Sequence, residues 1–304
     1  MRLRMSRRSL AALAAVYFIW GGSYPAIAVL VRTTQPLVGT GFRFLAAAVV
    51  LGGWIAYRSG GRAMWPSSRE ALGALVVGPM ILANFGIVAV VERHIAPGVV
   101  AIVVSSIPMW TVVLRATLGE APRPVTAIAM LGGLAAVAIL SVSQWTGEKS
   151  LGWIGLILGG CFLNAAGTVL SQRVYGAMAR PRVPVMEMLA GGLLFVGLGV
   201  VLEGGKVNVH GWSHPAAILA FAYLVVPASV VGYSAYRWLA DHESPTIAAT
   251  YAYVNPLVAL ALSVVLLGDA VSVGVGVSFV LMVASVAAIV SFDRRRAPIE
   301  QVGT

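Results

Sequence analysis

The sequence predicts an all-α integral membrane protein with ten transmembrane helices, arranged as two inverted repeats of five helices each. The first observation behind this prediction is composition, because 59% of the 304 residues are hydrophobic and 11% are charged. Soluble globular proteins average about 45 to 50% apolar and about 25% charged residues. The second observation is the length of the apolar segments, and the third is a set of residues that recurs at a fixed distance along the chain.

Ten apolar segments are long enough to span a bilayer, which requires about 20 mostly apolar residues. They are approximately residues 10–31, 37–57, 71–91, 96–115, 124–144, 151–172, 184–202, 215–236, 245–267 and 271–292. The first segment exceeds the apolar core of a secretory signal peptide, which has about 7 to 15 residues, so we expect it to be retained as a helix. The connections are short, so function is expected to be built from the helices themselves.

An internal duplication relates the two halves of the chain at an offset of 148 residues. The residues that recur at this offset are His94 and His242, Pro97 and Pro245, Ala101 and Ala249, Pro108 and Pro256, and Pro79 and Pro227. Five is an odd number, so the second copy of a five-helix repeat must cross the membrane in the opposite sense to the first. We therefore expect one repeat over residues 10–144 and an inverted one over residues 151–292, with a pathway at their interface near the membrane midplane.

The basic residues predict how the helices are oriented. Sixteen of the 21 Lys and Arg residues fall on the side of the membrane that holds the N-terminus, and four fall on the other side. Because cytoplasmic loops are enriched in Lys and Arg, we expect a multi-pass protein of a bacterial-type inner (plasma) membrane with both termini cytoplasmic. The net charge of +10 is spread between apolar segments rather than gathered in a patch, which argues against nucleic acid as a partner.

The sequence lacks the motifs of common enzyme and metal sites. Cys161 is the only cysteine, which excludes a disulfide framework and a multi-cysteine metal site. The sequence has neither a G-x-S-x-G nor an H-E-x-x-H motif, and its carboxylates all lie at segment ends or in connections. We therefore expect no enzyme activity, no metal and no cofactor, and the sequence indicates no mid-membrane carboxylate for proton coupling.

Four stretches together resemble the EamA-type transporters of the drug/metabolite transporter superfamily. They are FIWGGSYPA in the first segment, GFRFLAAA in the second, HIAPGVVAIVVSSIPMWTVVLRATLGE in the fourth and SPTIAATYAYVNPLVALALSVVLLGD in the ninth. The resemblance implies ten helices in two inverted EamA-like halves, a cavity lined mainly by helices 1, 3, 4, 6, 8 and 9, and transport of small metabolites such as amino acids. The sixth segment departs from the family pattern, because Asn164, Ala165 and Ala166 stand where many relatives have an aromatic residue followed by small residues.

Three prolines inside apolar segments are candidate helix breaks, namely Pro25, Pro108 and Pro256. Each removes a backbone donor and frees a carbonyl, which a membrane tolerates only where neighbours or a cavity satisfy it. The substrate-binding candidates near these prolines are Trp20, Tyr24, Trp110, Tyr251 and Asn255. In the alternative interpretation, the aromatic residues form an interfacial belt and the prolines only bend packed helices.

Three further polar residues lie inside apolar segments. Arg43 is expected about 9 Å from the outer end of its helix, at about 1.5 Å per residue. It is either a gate residue or an anion anchor, or it is a structural residue that caps carbonyls or extends to the surface. Asn84 and Asn164 are substrate-binding candidates, and in the alternative they hydrogen-bond a neighbouring helix.

Small residues predict that helices 5 and 10 pack against each other, away from the pathway. Gly132 and Gly133 in the fifth segment and Gly274 and Gly276 in the tenth provide faces on which two helices can approach closely. The resemblance to the EamA family implies the same pairing.

Together these observations favour a secondary transporter, an exporter or exchanger that moves small metabolites across the inner membrane by alternating access. The candidate residues offer aromatic faces, hydroxyls and an amide but no carboxylate, so the expected substrate is neutral or zwitterionic and partly apolar. A lipid flippase or scramblase on the same inverted-repeat fold is the alternative. Membrane lipid is an expected partner, and the protein is expected to be a monomer or a weak homodimer.

Overall fold

The computed structural model describes residues 6–59, 65–119, 124–143, 148–175, 182–204, 208–242 and 251–293. These residues fold into helices joined by short turns. The helices are α1 (Arg7–Gly21), α2 (Ser23–Val31), α3 (Pro36–Ser59), α4 (Ser68–Val91), α5 (Pro97–Val104), α6 (Ile107–Thr117), α7 (Pro124–Ser143), α8 (Glu148–Tyr175), α9 (Arg182–Leu202), α10 (Val209–Trp212), α11 (Pro215–Tyr223), α12 (Leu224–Gly232), α13 (Tyr233–His242), α14 (Tyr251–Leu262), α15 (Ser263–Leu267) and α16 (Val273–Asp293). Two of them, α12 and α15, consist of widened π-helical turns.

Seven helical stretches among the described residues are long and apolar enough to cross a membrane. They are Arg7–Val31, Pro36–Ser59, Ser68–Val91, Pro97–Thr117, Leu151–Tyr175, Arg182–Leu202 and Pro215–Tyr236. Three shorter apolar helices fall on the fifth, ninth and tenth expected segments, namely Pro124–Ile139, Val254–Leu267 and Val273–Ser285. The all-helical fold is therefore confirmed for the described residues, and the count of ten transmembrane helices stays a prediction.

Local sequence signals set several helix ends. Ser67 and Glu70 form a capping box at the start of α4, in which each side chain bonds the backbone N–H of the other residue. Gly119 and Gly268 follow the ends of α6 and α15, with φ angles of 91° and 74°. This left-handed conformation favours glycine at the end of a helix. The fourth membrane stretch in the first half and the ninth in the second half therefore end in the same way.

The helices α3 and α9 form one of the two most extensively packed pairs. They run antiparallel, because Gly41 near the start of α3 faces Val196, whereas Val38 faces Gly199 closer to the end of α9. A Cβ on Gly41 would lie 2.6 Å from Val196 Cγ2, and a Cβ on Gly199 would lie 2.6 Å from Val38 Cγ2. The small residues therefore let the two helices approach more closely than larger side chains would permit.

The helices α7 and α16 form the other extensively packed pair, which agrees with the pairing expected for helices 5 and 10. This pair is also antiparallel, since Gly133 faces Ser285 and Gly274 faces Ser143. Gly276 differs from the expectation, because a Cβ there would meet no atom within 4 Å. The expected contact of Gly276 is therefore wrong, and the close approach in α16 is made at Gly274.

Candidate functional site

The first membrane stretch is interrupted at Gly22, between α1 and α2. Pro25 lies in the first turn of α2, where its missing N–H leaves the carbonyl of Gly21, four residues earlier, without its usual donor. The carbonyl of Ile19 accepts hydrogen bonds from Tyr223 Oη at 2.8 Å and from Ser23 Oγ at 2.9 Å. A Cβ on Gly22 would lie 2.5 Å from Tyr223 Oη, so glycine is needed for this hydroxyl to reach the interrupted turn.

The fourth membrane stretch is interrupted at Ser105 and Ser106, between α5 and α6. Pro108 is the second residue of α6, where a missing N–H is tolerated because first-turn N–H groups have no helical acceptor. Ser105 Oγ donates to the Ile102 carbonyl at 2.6 Å, and the Ser106 N–H donates to the Val103 carbonyl at 3.0 Å instead. Serine side chains that bond nearby carbonyls compete with the helical pattern, which explains why the interruption falls at these two residues.

The structure contradicts the expected break at Pro256. Pro256 lies inside the continuous helix α14, and widened turns begin only at Ser263, where α15 starts. An interior proline costs a helix one hydrogen bond, and a membrane helix accommodates it where neighbouring helices support the bend. The support here is α1, because a Cβ on Gly21 would lie 2.6 Å from Val258 Cβ and 3.2 Å from the Asn255 carbonyl. The prediction of a break at Pro256 is therefore wrong.

Trp20 and Tyr251 lie together in an aromatic cluster, to which Tyr236 also belongs. The ring centroids of Trp20 and Tyr251 are 5.0 Å apart and edge-on, and Tyr236 lies 5.3 Å from Trp20 and 5.5 Å from Tyr251. Trp20 Nε1 donates a hydrogen bond to the Ala228 carbonyl in α12 at 3.1 Å. The cluster joins α1, α13 and α14. Tyr236 was not among the residues predicted from the sequence, because it is the last residue of the eighth apolar segment, where an aromatic residue is also typical of a membrane interface.

Trp110 belongs to a different contact. Its ring packs edge-on against Phe162, with the centroids 5.6 Å apart, between α6 and α8. Trp110 and Tyr24 both pack against the main apolar core of the protein. The aromatic contacts therefore group Trp20 with Tyr251 and place Trp110 with Phe162, so a shared site for Trp110, Tyr251 and Asn255 stays a prediction.

Asn84 and Asn164 lie where α4 packs against α8. Asn164 Nδ2 donates to the Ile81 carbonyl at 2.7 Å, and the Cys161 thiol donates weakly to Asn84 Oδ1 at 3.8 Å. Both contacts connect the two helices, which matches the interhelical alternative for these residues. Their role in substrate binding stays a prediction.

Asn255 is the candidate whose side chain has a buried polar atom without a partner among the described residues. The residue is buried, and the atom is Oδ1. A buried polar atom without a partner costs about 1 to 3 kcal/mol, so Asn255 Oδ1 is suited to accept a hydrogen bond from a ligand.

Arg43 points into the protein rather than to its surface, because it is only 4% exposed. Its Nε donates to Ser229 Oγ at 3.2 Å, and Ser229 Oγ in turn donates to the Leu224 carbonyl at 2.8 Å within α12. The guanidinium carbon lies 4.9 Å from the ring centre of Phe44 and 5.6 Å from that of Phe85. Extension to the surface is therefore excluded, and the widened turn of α12 places the serine that holds the guanidinium.

Glu92 is a buried carboxylate at the end of the third apolar segment. It follows Val91, the last residue of α4, and is 8% exposed, and neither carboxyl oxygen has a hydrogen-bond partner among the described residues. Burial raises the pKa of the Glu92 carboxyl well above its ordinary value, and the positive charge of Arg43 acts in the opposite direction. Helical register was the missed signal, because Glu92 lies seven residues after Phe85 and so on the same helix face.

Among the described residues, no group of three or more His, Cys, Asp and Glu side chains is arranged to hold a metal ion. The polar groups described above are hydroxyls, amides, one guanidinium and one carboxyl. Such groups bind organic molecules by hydrogen bonds, stacking and charge.

Comparisons with known proteins identify the family. The sequence profile of the EamA-like transporter family matches residues 8–142 and 151–291. The uncharacterized inner membrane transporter YedA of Escherichia coli strain K12 is 33% identical over 277 residues, which cover 90% of this chain and 87% of that protein. Protein PecM of Dickeya dadantii strain 3937 is 27% identical over 301 residues, which cover 93% of this chain and 94% of that protein.

A solved crystal structure shares the fold. It superposes with a TM-score of 0.67 at 18% sequence identity, covering 96% of this chain and 100% of the other chain. The family match over both halves and the similarity to inner membrane transporters confirm the resemblance seen in the sequence. The chain therefore belongs to the EamA-like transporter family of the drug/metabolite transporter superfamily, and it is a multi-pass transporter of the inner membrane.

Proposed function

We propose that this protein is an exporter or exchanger of small, partly apolar metabolites that are neutral or zwitterionic, such as hydrophobic amino acids. The observation that carries this proposal is the meeting of an interrupted membrane stretch, an aromatic cluster and a buried amide oxygen without a partner. Trp20 stands two residues before the interruption at Gly22. Tyr251 contacts the Trp20 ring, and Asn255 lies one helical turn after Tyr251 in α14.

Helix pairing supports alternating access between inverted halves. The pairs α3 with α9 and α7 with α16 each join a helix of one half to the helix that corresponds to it at the offset of 148 residues. Both pairs are antiparallel, as expected if a two-fold axis in the membrane plane relates the halves. On this basis we propose ten transmembrane helices in two inverted repeats, with both termini cytoplasmic as the distribution of Lys and Arg predicts.

A lipid flippase on the same fold is less favoured. A lipid pathway must expose its polar groups along the surface that faces the bilayer, because the acyl chains stay in the membrane during transfer. Asn84, Asn255 and Arg43 are each less than 9% exposed. Polar groups enclosed by helices fit a small substrate that is enclosed entirely.

Transport by the purified protein in liposomes would test the proposal. We expect labelled leucine to be exchanged across the membrane, whereas a lipid with a labelled head group is not moved. Replacement of Tyr251 or Asn255 by Ala removes a stacking partner or a hydrogen bond, either of which contributes about 1 to 3 kcal/mol. We therefore expect each variant to bind leucine about tenfold more weakly and to melt within a few degrees of the wild type.

Tyr57→Ala is the matched control, because Tyr57 is 84% exposed on α3. It should leave binding unchanged. Unchanged transport in both Tyr251→Ala and Asn255→Ala would contradict the placement of the site, and movement of labelled lipid without exchange of amino acids would favour the flippase.

A further inference from the structure

The eighth membrane stretch holds the last turn of α1 through a row of close contacts. Tyr223 Oη donates a hydrogen bond to the Ile19 carbonyl at 2.8 Å. The Ala228 carbonyl accepts a hydrogen bond from Trp20 Nε1 at 3.1 Å. Further along the stretch, a Cβ on Gly232 would lie 2.6 Å from Trp20 Nε1 and 3.4 Å from Ile19 Cγ2. The two ends of this row therefore contact the same residue of α1.

The π-helical turns of α12 explain how both ends of the row reach α1. Tyr223 and Gly232 are nine residues apart, which is about two and a half turns of an α-helix. An α-helix would therefore place the two residues on opposite faces. A π-helical turn closes its hydrogen bond over five residues instead of four, so nine residues of α12 make close to two full turns. The widened turns thus bring Tyr223 and Gly232 to one face, against the end of α1.

This arrangement fixes the indole of Trp20 and determines what it can offer to a ligand. An indole has one donor, Nε1, and the Ala228 carbonyl accepts it. The ring contacts Tyr236 and Tyr251 at centroid distances of 5.3 Å and 5.0 Å. All three rings are partly exposed, whereas Gly232 is buried. The part of the indole that is left for a ligand is therefore apolar ring surface.

We propose that Gly232 is a positioning residue that, with the Ala228 carbonyl, holds the Trp20 indole as an apolar wall selecting substrates with a large apolar side chain. This inference rests on the proposed function and assigns the two ends of the substrate. The apolar side chain packs on Trp20, and a polar group donates to Asn255 Oδ1. The two groups are close, because a Cβ on Gly21, the neighbour of Trp20, would lie 3.2 Å from the Asn255 carbonyl.

A methyl group at Gly232 would move the wall and leave the backbone as it is. A Cβ there would lie 2.6 Å from Trp20 Nε1 and 2.9 Å from Trp20 Cδ1, which is closer than packed atoms approach. Alanine suits a helix better than glycine does, so the backbone of the stretch accepts the change. The indole has to shift away from Gly232, and it thereby loses its fixed place at the Ala228 carbonyl.

Binding of labelled leucine and labelled alanine to the purified full-length protein would test this inference. The two ligands have the same charged groups and differ in the length of the apolar side chain. We expect the wild type to prefer leucine and Gly232→Ala to lose about tenfold of this preference, because the leucine side chain reaches the wall and the alanine methyl group does not. A merely structural defect would weaken both ligands equally and leave the preference unchanged.

The NMR signal of the Trp20 indole N–H reports the position of the ring. It can be assigned by its absence in Trp20→Phe, and we expect it to shift in Gly232→Ala because the hydrogen bond to Ala228 is lost. Gly197→Ala is the matched control, since a Cβ on Gly197 in α9 would meet no atom within 4 Å. This control should keep both the indole signal and the preference for leucine.

A double variant decides the test even if Gly232→Ala alone does not fold. Trp20→Ala removes the ring that the new methyl group would displace. The double variant Trp20→Ala with Gly232→Ala should therefore prefer leucine to the same degree as Trp20→Ala alone, to within about twofold. A further loss of preference in the double variant would show that Gly232 acts other than through Trp20, and it would overturn the inference.

The outcomes separate this inference from the proposed function. If the wild type binds leucine and Gly232→Ala keeps the full preference for leucine, the positioning role is overturned while an amino-acid transporter stands. An unmoved indole signal in Gly232→Ala, or a wild type that binds both ligands equally, has the same meaning. If the wild type binds neither amino acid, both proposals are overturned. Loss of the preference together with a shifted indole signal, with the Gly197→Ala control unchanged, supports the positioning role.

Discussion

The two halves of the chain respond differently to prolines at equivalent positions. In the first half, the stretch that contains Pro108 is interrupted at Ser105 and Ser106, whereas in the second half Pro256 lies within a continuous helix. Pro79 and Pro227 also differ, because Pro79 lies in the continuous α-helix α4 and Pro227 lies in the π-helical turns of α12. In both pairs, the same residue therefore lies in a different backbone geometry in each half.

The neighbouring residues explain the difference better than the prolines do. At the offset of 148, Ser105 and Ser106 correspond to Tyr253 and Val254. A serine hydroxyl bonds the carbonyl that the next turn of helix would use, whereas tyrosine and valine have no such local bond to offer. In a duplicated fold, the proline supplies a weak point, and the side chains before it determine whether the helix breaks there.

The largest expected effect comes from replacing each of the two prolines by alanine. Pro256→Ala returns an N–H to the interior of a continuous helix, where proline costs up to about 3 kcal/mol relative to alanine. Pro108→Ala returns an N–H to the first turn of α6, where it has no helical acceptor while the interruption persists. We therefore expect Pro256→Ala to raise the melting temperature in detergent and Pro108→Ala to leave it nearly unchanged. Equal rises in both variants would show that Pro108 itself keeps the fourth stretch open.

A second effect contrasts the helices that pair across the two halves. A Cβ on Gly133 in α7 would meet the Sδ and Cε atoms of Met109 and the Cβ atom of Ser285, whereas a Cβ on Gly276 in α16 would meet nothing within 4 Å. Overpacking a close contact costs about 1 to 3 kcal/mol, so Gly133→Leu should lower the melting temperature by several degrees. Gly276→Leu is the control and should melt close to the wild type. Substrate affinity should hold in both variants, and a loss of affinity without a loss of stability would place α7 beside the pathway.

Much of the fold could be predicted because apolar length and charge determine it directly. The expected segments 37–57 and 184–202 correspond to α3 and α9, and the small residues of the fifth and tenth segments predicted the pair of α7 and α16. The family was predicted from the ordered set of four motifs. These features depend on composition and order along the chain, which the sequence gives without knowledge of packing.

The site was less predictable because it depends on which helix faces meet. Glu92 is at a segment end, and a segment end is exposed in a single helix but buried here by its neighbours. Asn164 lies mid-segment as expected, and its side-chain amide donates a hydrogen bond to the Ile81 carbonyl of another helix. The break at Pro256 was predicted from the proline alone, although the support that α1 gives to α14 is visible only in the fold.

The smallest effect tests the role of the serines in the interruption. Ser105 Oγ donates a hydrogen bond to the Ile102 carbonyl. The Ser106 N–H donates to the Val103 carbonyl, whereas in a continuous helix it would donate to the Ile102 carbonyl. Ser105→Ala removes the competing hydroxyl, and one such hydrogen bond is worth about 0.5 to 1.5 kcal/mol. The Ile102 carbonyl then has to be satisfied by the Ser106 N–H, which favours a continuous helix. We expect amide hydrogen exchange at residues 105–109 to slow by several-fold.

Ser234→Ala is the matched control, because Ser234 Oγ donates to the Val230 carbonyl at 2.7 Å near the start of α13, where the helix is not interrupted. Amide exchange around residue 234 should not slow in this variant, because the backbone hydrogen bonds of the helix are already formed there. Transport should also fall in Ser105→Ala and hold in Ser234→Ala if the interruption is part of the pathway. Unchanged or faster exchange at residues 105–109 would mean that Pro108 and the packing of α5 against α14 keep the stretch open without the hydroxyl.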